Sequence, residues 1–349
     1  MKKPVTAINP VVNVAGIKIP VNVNVPMGAC LPMPPHFVVP DFVPPSGVNK
    51  AAQDFKMAFL SLAKGRSTYL WGMPGCGKDT VLAAFSALTR RPTIIRSIKP
   101  NSDIQSWFYS RAFSSQGTLW EEGPLLKAIR DGYTCPNGDK VPYMIIFTDL
   151  DRADTAEAEY LRTLLDTRDP RIEGPEGVME KVFPGTLFAA TGNTNGMGDS
   201  RGRCISAKPQ DASLFNRLER VVQMHYFDWE DEQRIIQSAF APIVSRCSDL
   251  VPTLGRIIKA IRASITAEQI YGEFTIRDLY FIMSYIEDLG LSDSSSISLR
   301  DAFRVWMDRL DPGSRANAES TLNPYLKTLS YGPPEHYTAG ETHLNEAWK

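Results

Sequence analysis

Seven residues, Gly72-Met73-Pro74-Gly75-Cys76-Gly77-Lys78, constrain the fold of this chain more than any other stretch. They follow a short apolar run ending at Trp71 and precede a helical pattern over Asp79–Leu88. The spacing is G-x-x-x-x-G-K in a strand–loop–helix setting, the arrangement of a phosphate-binding loop. Glycines let successive backbone N–H groups curl round an anion, and the helix N-terminus adds partial positive charge. Lys78 is placed to reach the outer phosphates of a nucleoside triphosphate. The residues expected to hold nucleotide are Gly72, Pro74, Gly75, Cys76, Gly77, Lys78, Asp79 and Thr80.

The surrounding pattern supplies the scaffold such a loop needs. Short β-rich runs at Thr68–Trp71, Thr93–Ile98, Met144–Phe147, Leu187–Thr191 and Arg220–Met224 alternate with amphipathic stretches. That alternation predicts an α/β fold, a parallel sheet between two helical layers. After it come helical periods over Glu230–Ser245, Val251–Ala267, Thr275–Leu289, Ser298–Arg309 and Ser314–Leu326, which predict a separate all-helical domain. The chain thus divides into an apolar arm (1–50), an α/β region (51–228), a helical region (229–326) and a tail (327–349) that reads as mobile. The arm holds 10 of the 26 prolines. Its Val11–Val25 segment alternates apolar and polar residues like a hairpin, and Leu31–Pro45 reads as extended. So apolar an arm is expected to pack on its own domain, a neighbouring subunit or a partner, unless it is only a partly ordered tail.

A second nucleotide element is an apolar strand ending in acids, Met144-Ile145-Ile146-Phe147-Thr148-Asp149. Counted from the apolar run, the position of the usual magnesium-associated Asp falls on Thr148, and that of the water-polarising Glu on Asp149. The residue after Lys78, ordinarily Ser or Thr, is Asp79. Alcohol and acid therefore stand exchanged between the two motifs. One reading keeps Mg²⁺, with Asp79, Thr148 and Asp149 as the metal set; the other is decay of turnover. Asp149, one methylene shorter than Glu, predicts slow hydrolysis even where the base is retained.

Three further residues complete the expected catalytic set with Asp149. Asn193 ends the apolar run Leu187–Thr191, where an amide can orient water or simply make a turn. Arg217, just before the last strand, is placed to serve as an arginine finger on a neighbour's nucleotide or to sit in a surface ion pair; Arg220 competes for the role. Arg277 lies in the first turn of a helix opened by Thr275, where the dipole opposes a cation. It either points at a phosphate or is an exposed arginine tolerated at small cost.

Taken in order, these elements resemble an AAA+ ATPase, within that superfamily the MoxR branch, and there the CobS-like proteins. The resemblance rests on Val39-Pro40-Asp41-Phe42-Val43-Pro44 ahead of the core and on Trp120-Glu121-Glu122-Gly123-Pro124-Leu125-Leu126-Lys127-Ala128-Ile129, similar to a hairpin inserted in helix two. It rests also on Asp149-Leu150-Asp151-Arg152-Ala153 and, most specifically, on Thr191–Asp199. It covers roughly residues 38–290 and implies a P-loop AAA+ core of three αβα layers with a helical lid. It also implies ATP and Mg²⁺ as cofactors and a hexameric homo-oligomer, with Lys78, Asn193 and Arg277 acting in cis and Arg217 in trans. The work implied is remodelling of a protein client, often with a von Willebrand factor A domain protein; tetrapyrrole metal insertion follows from the family name alone. Asp79, Thr148 and Asp149 depart from the family pattern and leave open a nucleotide-binding structural or regulatory module with little turnover.

Composition trims the remaining alternatives. Lys+Arg 38 against Asp+Glu 39 leaves a net charge of −1, which argues against coating nucleic acid or an anionic membrane. A nucleic-acid motor would depend on a local patch such as Lys64, Arg66, Arg90 and Arg91. The five cysteines and four histidines are scattered without metal-ligand spacing, which favours a reducing cytoplasm over a disulfide framework. No apolar run approaches the ~20 residues that span a bilayer.

Overall fold

A computed structural model describes residues 10–40, 49–115, 117–166, 169–199, 204–291 and 296–330. Most of the Val39–Pro44 segment and the tail beyond Ser330 lie outside the described residues. The chain separates into two units, Met1–Asp231 and Glu232–Lys349.

The first unit is built on five parallel strands: β1 (Thr68–Trp71), β2 (Thr93–Ser97), β3 (Met144–Thr148), β4 (Leu187–Gly192) and β5 (Arg220–Gln223). Their spatial order is β5-β1-β4-β3-β2. The central strands are apolar throughout because both faces are covered. Tyr69, Ile145, Phe147, Phe188 and Ala190 enter one core. Their neighbours Leu70, Met144, Ile146, Leu187 and Ala189 enter the other. Each fully buried large side chain contributes about 1.5–3 kcal/mol relative to exposure.

Helices α1 (Lys50–Ala63) and α2 (Lys78–Thr89) cover the second face through Phe55, Phe59, Leu62, Val81, Leu82 and Phe85. Asn49 caps α1 by accepting from Ala52 N at 2.9 Å. The first face is covered by α3 (Ile104–Phe108), α4 (Pro124–Asp131), α5 (Thr155–Leu164) and α6 (Ala212–Phe215). Between α3 and α4 stands an antiparallel hairpin, Tyr109–Ser114 with Gly117–Glu122. The arm is the hairpin its alternation predicts, Val11–Val14 with Ile17–Pro20. Val14 and Ile19 pack into the same core as Phe55 and Phe59. Farther along, Leu31 N donates to Ser86 Oγ of α2 at 2.9 Å. Residues 10–40 therefore lie on their own domain.

In the second unit the main helices are α8 (Ala241–Arg246), α9 (Leu250–Thr266), α10 (Ile276–Leu291), α11 (Leu299–Met307) and α12 (Pro312–Leu322). The predicted helix Glu230–Ser245 divides into α7 (Trp229–Ala239) and α8 at Phe240. Pro242, which has no N–H to donate, starts a new helix instead of continuing the old one. The unit is also not purely helical: Ser296–Ser298 pairs antiparallel with Thr328–Ser330. Three-residue strands are too short to announce a period. Phe274, Phe303 and Trp306 form its aromatic core, with Phe274–Phe303 ring centroids 6.2 Å apart.

Candidate functional site

The site lies where β1, β3 and β4 end, because parallel strands deliver all their C-terminal residues to one edge. Gly72 leaves β1 with φ 154°. A Cβ there would run into the carbonyl oxygen of Met224, so the loop passes β5 only as glycine. Gly77 is the N-cap of α2 and takes the left-handed conformation, φ 88°. Tyr226 Oη donates to Pro74 O at 3.0 Å and steadies the loop from outside. Cys76 is buried, and burial pushes its thiol up despite the neighbouring Lys78. Thr80 is exposed in the first turn of α2, and Gly75 turns the loop at φ 80°.

Lys78 is buried at the start of α2 and folded back on its own loop. Its Nζ donates to Gly72 O at 2.7 Å, Met73 O at 3.3 Å and Asn193 Oδ1 at 3.2 Å. Predicted loop lysine and strand-end amide thus meet directly, although 115 residues separate them. Asp79 is exposed beside them and accepts from Thr191 Oγ1 at 3.3 Å. The alcohol on Asp79 therefore comes from β4. Thr148, the alcohol expected there, is half-buried at the end of β3, where its carbonyl accepts from Ile98 N at 2.9 Å.

Asp149 follows β3 in the left-handed conformation, φ 57° and ψ 40°, a costly one for a non-glycine residue. Burial raises its carboxyl above the usual aspartate range. Arg152, 3.6 Å away, opposes the rise, and Asp151 and Asp79 add to it. A base with a raised pKa binds a proton more readily.

Asp151, not singled out as a site residue by the sequence reading, organises the whole corner. It is fully buried. Its Oδ2 accepts from Asn193 N at 2.7 Å, Thr194 N at 2.9 Å and Thr194 Oγ1 at 3.2 Å. Tyr69 Oη donates to Thr194 O at 2.6 Å. Burial, with Asp151 and Asp149 nearby, pushes the Tyr69 phenol well above its usual range and keeps it a donor. A Cβ on Gly192 would strike Tyr69 Oη and sit 2.9 Å from Asp151 Cγ. The backbone that presents Asn193 is therefore held from both sides. A second acid two residues after Asp149 and a glycine before the amide were the available signals.

The arginines behave differently. Arg217 Nη1 donates to Arg162 O at 2.9 Å and pairs with Asp166 at 3.0 Å in its own chain. Arg220 is exposed and donates to Glu219 O at 2.9 Å. Arg277 is exposed in the first turn of α10, a part of the second unit. Thr275 and Asp278 cap that turn reciprocally, with Thr275 N donating to Asp278 Oδ2 at 2.8 Å.

Beside the loop the groups suited to a hard cation are the carboxylates of Asp79 and Asp149. Among the described residues no group of three or more His, Cys, Asp or Glu could hold an ion unaided. Mg²⁺ beside a triphosphate asks for one or two carboxylates and takes its other ligands from phosphates and water, so these residues suit it. No helix among the described residues is long and apolar enough to cross a membrane.

No curated protein matches the chain. Residues 67–207, from β1 past Asn193, match the family model of the AAA domain, dynein-related subfamily. That stretch holds the glycine loop, Asp149, the Asp151 corner and Asn193, and it is the part of the fold that builds the site. Residues 67–207 are therefore similar to an AAA domain of the dynein-related subfamily.

Proposed function

We propose that this chain is an ATP-hydrolysing AAA+ protein of the MoxR type, with CobS-like proteins as its nearest pattern. It works as a homo-oligomeric, six-membered ring that remodels a protein partner, such as a von Willebrand factor A domain protein. The observation that carries the reading is the convergence of Lys78, Asp79, Asp149 and Asn193 at one sheet edge. Bound Mg²⁺ would supply charge neutralisation on the phosphates. Lys78 exchanges its loop carbonyls for phosphate oxygens, and its departure frees the Asn193 amide to orient water. Asp149 then takes the proton of that water. Arg217, half-exposed in its ion pair, is available to a neighbour's nucleotide. The match of residues 67–207 to the model of a subfamily that includes MoxR-like ATPases supports the type. The hairpin tip, with Phe113 88% and Leu119 53% exposed, supports contact with a protein client.

Phosphate release tests the reading. Wild type should turn over with Mg²⁺ and not with EDTA, and Asp149→Asn should bind ATP without releasing phosphate. Lys78→Ala and Arg217→Ala, each inactive, should regain activity when mixed, because one interface then combines an intact loop with an intact finger. Absence of that rescue in well-mixed rings removes the trans role. A second reading has one observation of its own: Lys78 is engaged by Asn193, and Asp149 faces Arg152. On that reading ATP joins subunits and is not consumed, and rings would assemble on ATP with no phosphate released.

A further inference from the structure

Strand β4 reads Leu187-Phe188-Ala189-Ala190-Thr191-Gly192, and all six residues are buried. Thr191 alone carries a polar side-chain atom, at 3% exposure. Valine would fill the same space without the hydroxyl. A buried hydroxyl is unfavourable unless it is bonded. This one is bonded to Asp79 Oδ1, 112 residues away in sequence. Asp79 occupies the loop position where a Ser or Thr hydroxyl ordinarily serves the cation. The loop thus lacks its alcohol, and the adjacent strand supplies one at that place. The register explains how: Thr191 pairs with Leu70 and Gly192 with Trp71, the last residues of the strand that feeds the loop. The helix dipole accounts for an acid in the first turn of α2. It does not account for a buried hydroxyl aimed at that acid.

We propose that Thr191 is a positioning residue for the divalent cation that accompanies ATP, acting through Asp79. This rests on the ATP reading above. By donating to Oδ1, Thr191 fixes the carboxylate of an otherwise exposed side chain and leaves Oδ2 for a hard cation. It keeps Asp79 from turning onto the ammonium of Lys78 or the free N–H groups of its own helix. The acid–alcohol exchange is then completed by Thr191 and does not require Thr148.

The test compares affinities for a fluorescent ATP analogue, mant-ATP, in Mg²⁺ and in EDTA. Wild type should gain affinity from Mg²⁺. Thr191→Val, isosteric in the strand, should lose about 10–100-fold of that gain, the usual effect of removing a partner of a metal ligand. Its affinity in EDTA should stay as in wild type, and Thr191→Ser should keep the gain. With Asp79→Ser, which returns a hydroxyl to the loop, Thr191→Val should cost nothing further. The inference is overturned if Thr191→Val keeps the full Mg²⁺ gain, or loses affinity equally in EDTA, or costs the same in both backgrounds. A wild-type chain that binds no nucleotide in either condition overturns the ATP reading along with it. One that binds with a Mg²⁺ gain indifferent to Thr191 overturns this inference alone.

Discussion

The glycine loop and the Asp151 corner lie at the same sheet edge and are built in opposite ways. Around the loop, the groups proposed to meet nucleotide hold provisional partners. Lys78 sits on carbonyls of its own loop and on Asn193, Asp79 is exposed, and Asp149 faces Arg152 across 3.6 Å. In the corner Asp151 is fully buried, three donors converge on its Oδ2, its Oδ1 has no hydrogen-bond partner among the described residues, and Gly192 is wedged between that carboxylate and Tyr69. Groups that must exchange partners during a reaction are held by contacts they can give up. The groups that aim them are sealed, because a buried carboxylate cannot exchange the donors on its Oδ2 for water and so holds one geometry.

That contrast predicts different failures. The largest belongs to the loop side: Asp149→Asn should lower kcat by about 10²–10⁴-fold, the range of a lost general base, with ATP affinity and thermal midpoint unchanged. A parallel fall in midpoint would place Asp149 with the sealed group instead. Next comes Asp151→Ala, which strands the N–H groups of Asn193 and Thr194. Urea titration should show a loss of about 3 kcal/mol, the order for removing one partner of a buried charged set. Stability unchanged in that variant would break the comparison. Arg217→Ala should sharpen it, since its part-exposed ion pair with Asp166 is worth less than ~1 kcal/mol to folding. Turnover by assembled protein should nevertheless fall.

The smallest effect is in pH. Asp149 must be ionised to accept a proton, and its carboxyl is raised chiefly by burial. The acid limb of kcat/KM, which reports the free enzyme, should therefore lie above the ordinary aspartate range. As pH falls through it, activity should drop while binding persists. A limb at the usual aspartate position would mean that the Asp149 pocket is wetter than its burial implies.

Much of the scaffold was legible because it rests on local pattern. The three inner strands are largely apolar runs and the two edge strands carry paired Ile or Val residues, and each strand forms within one residue of its predicted bounds. The glycine loop was legible because its spacing carries its own chemistry. What could not be read depends on strand order. Thr191 meets Asp79, and Asp151 meets Asn193, only because β4 lies between β1 and β3, an adjacency that no sequence period encodes. Counting from the apolar run places an alcohol at Thr148, whereas the hydroxyl that meets Asp79 comes from Thr191 on the neighbouring strand, which counting along one strand does not reach. In the second unit, Ser296–Ser298 and Thr328–Ser330 are too short for alternation to distinguish them from loop.

The central claim is that the cradle closed by Lys78 holds a triphosphate. Calorimetric titration of ATP into the purified chain, with Mg²⁺ and with EDTA, tests it most directly when wild type is run beside Lys78→Ala. Saturable binding by wild type that disappears in Lys78→Ala is the predicted result. ATP heats absent from wild type in both buffers, or equal affinity in the two proteins, would contradict it.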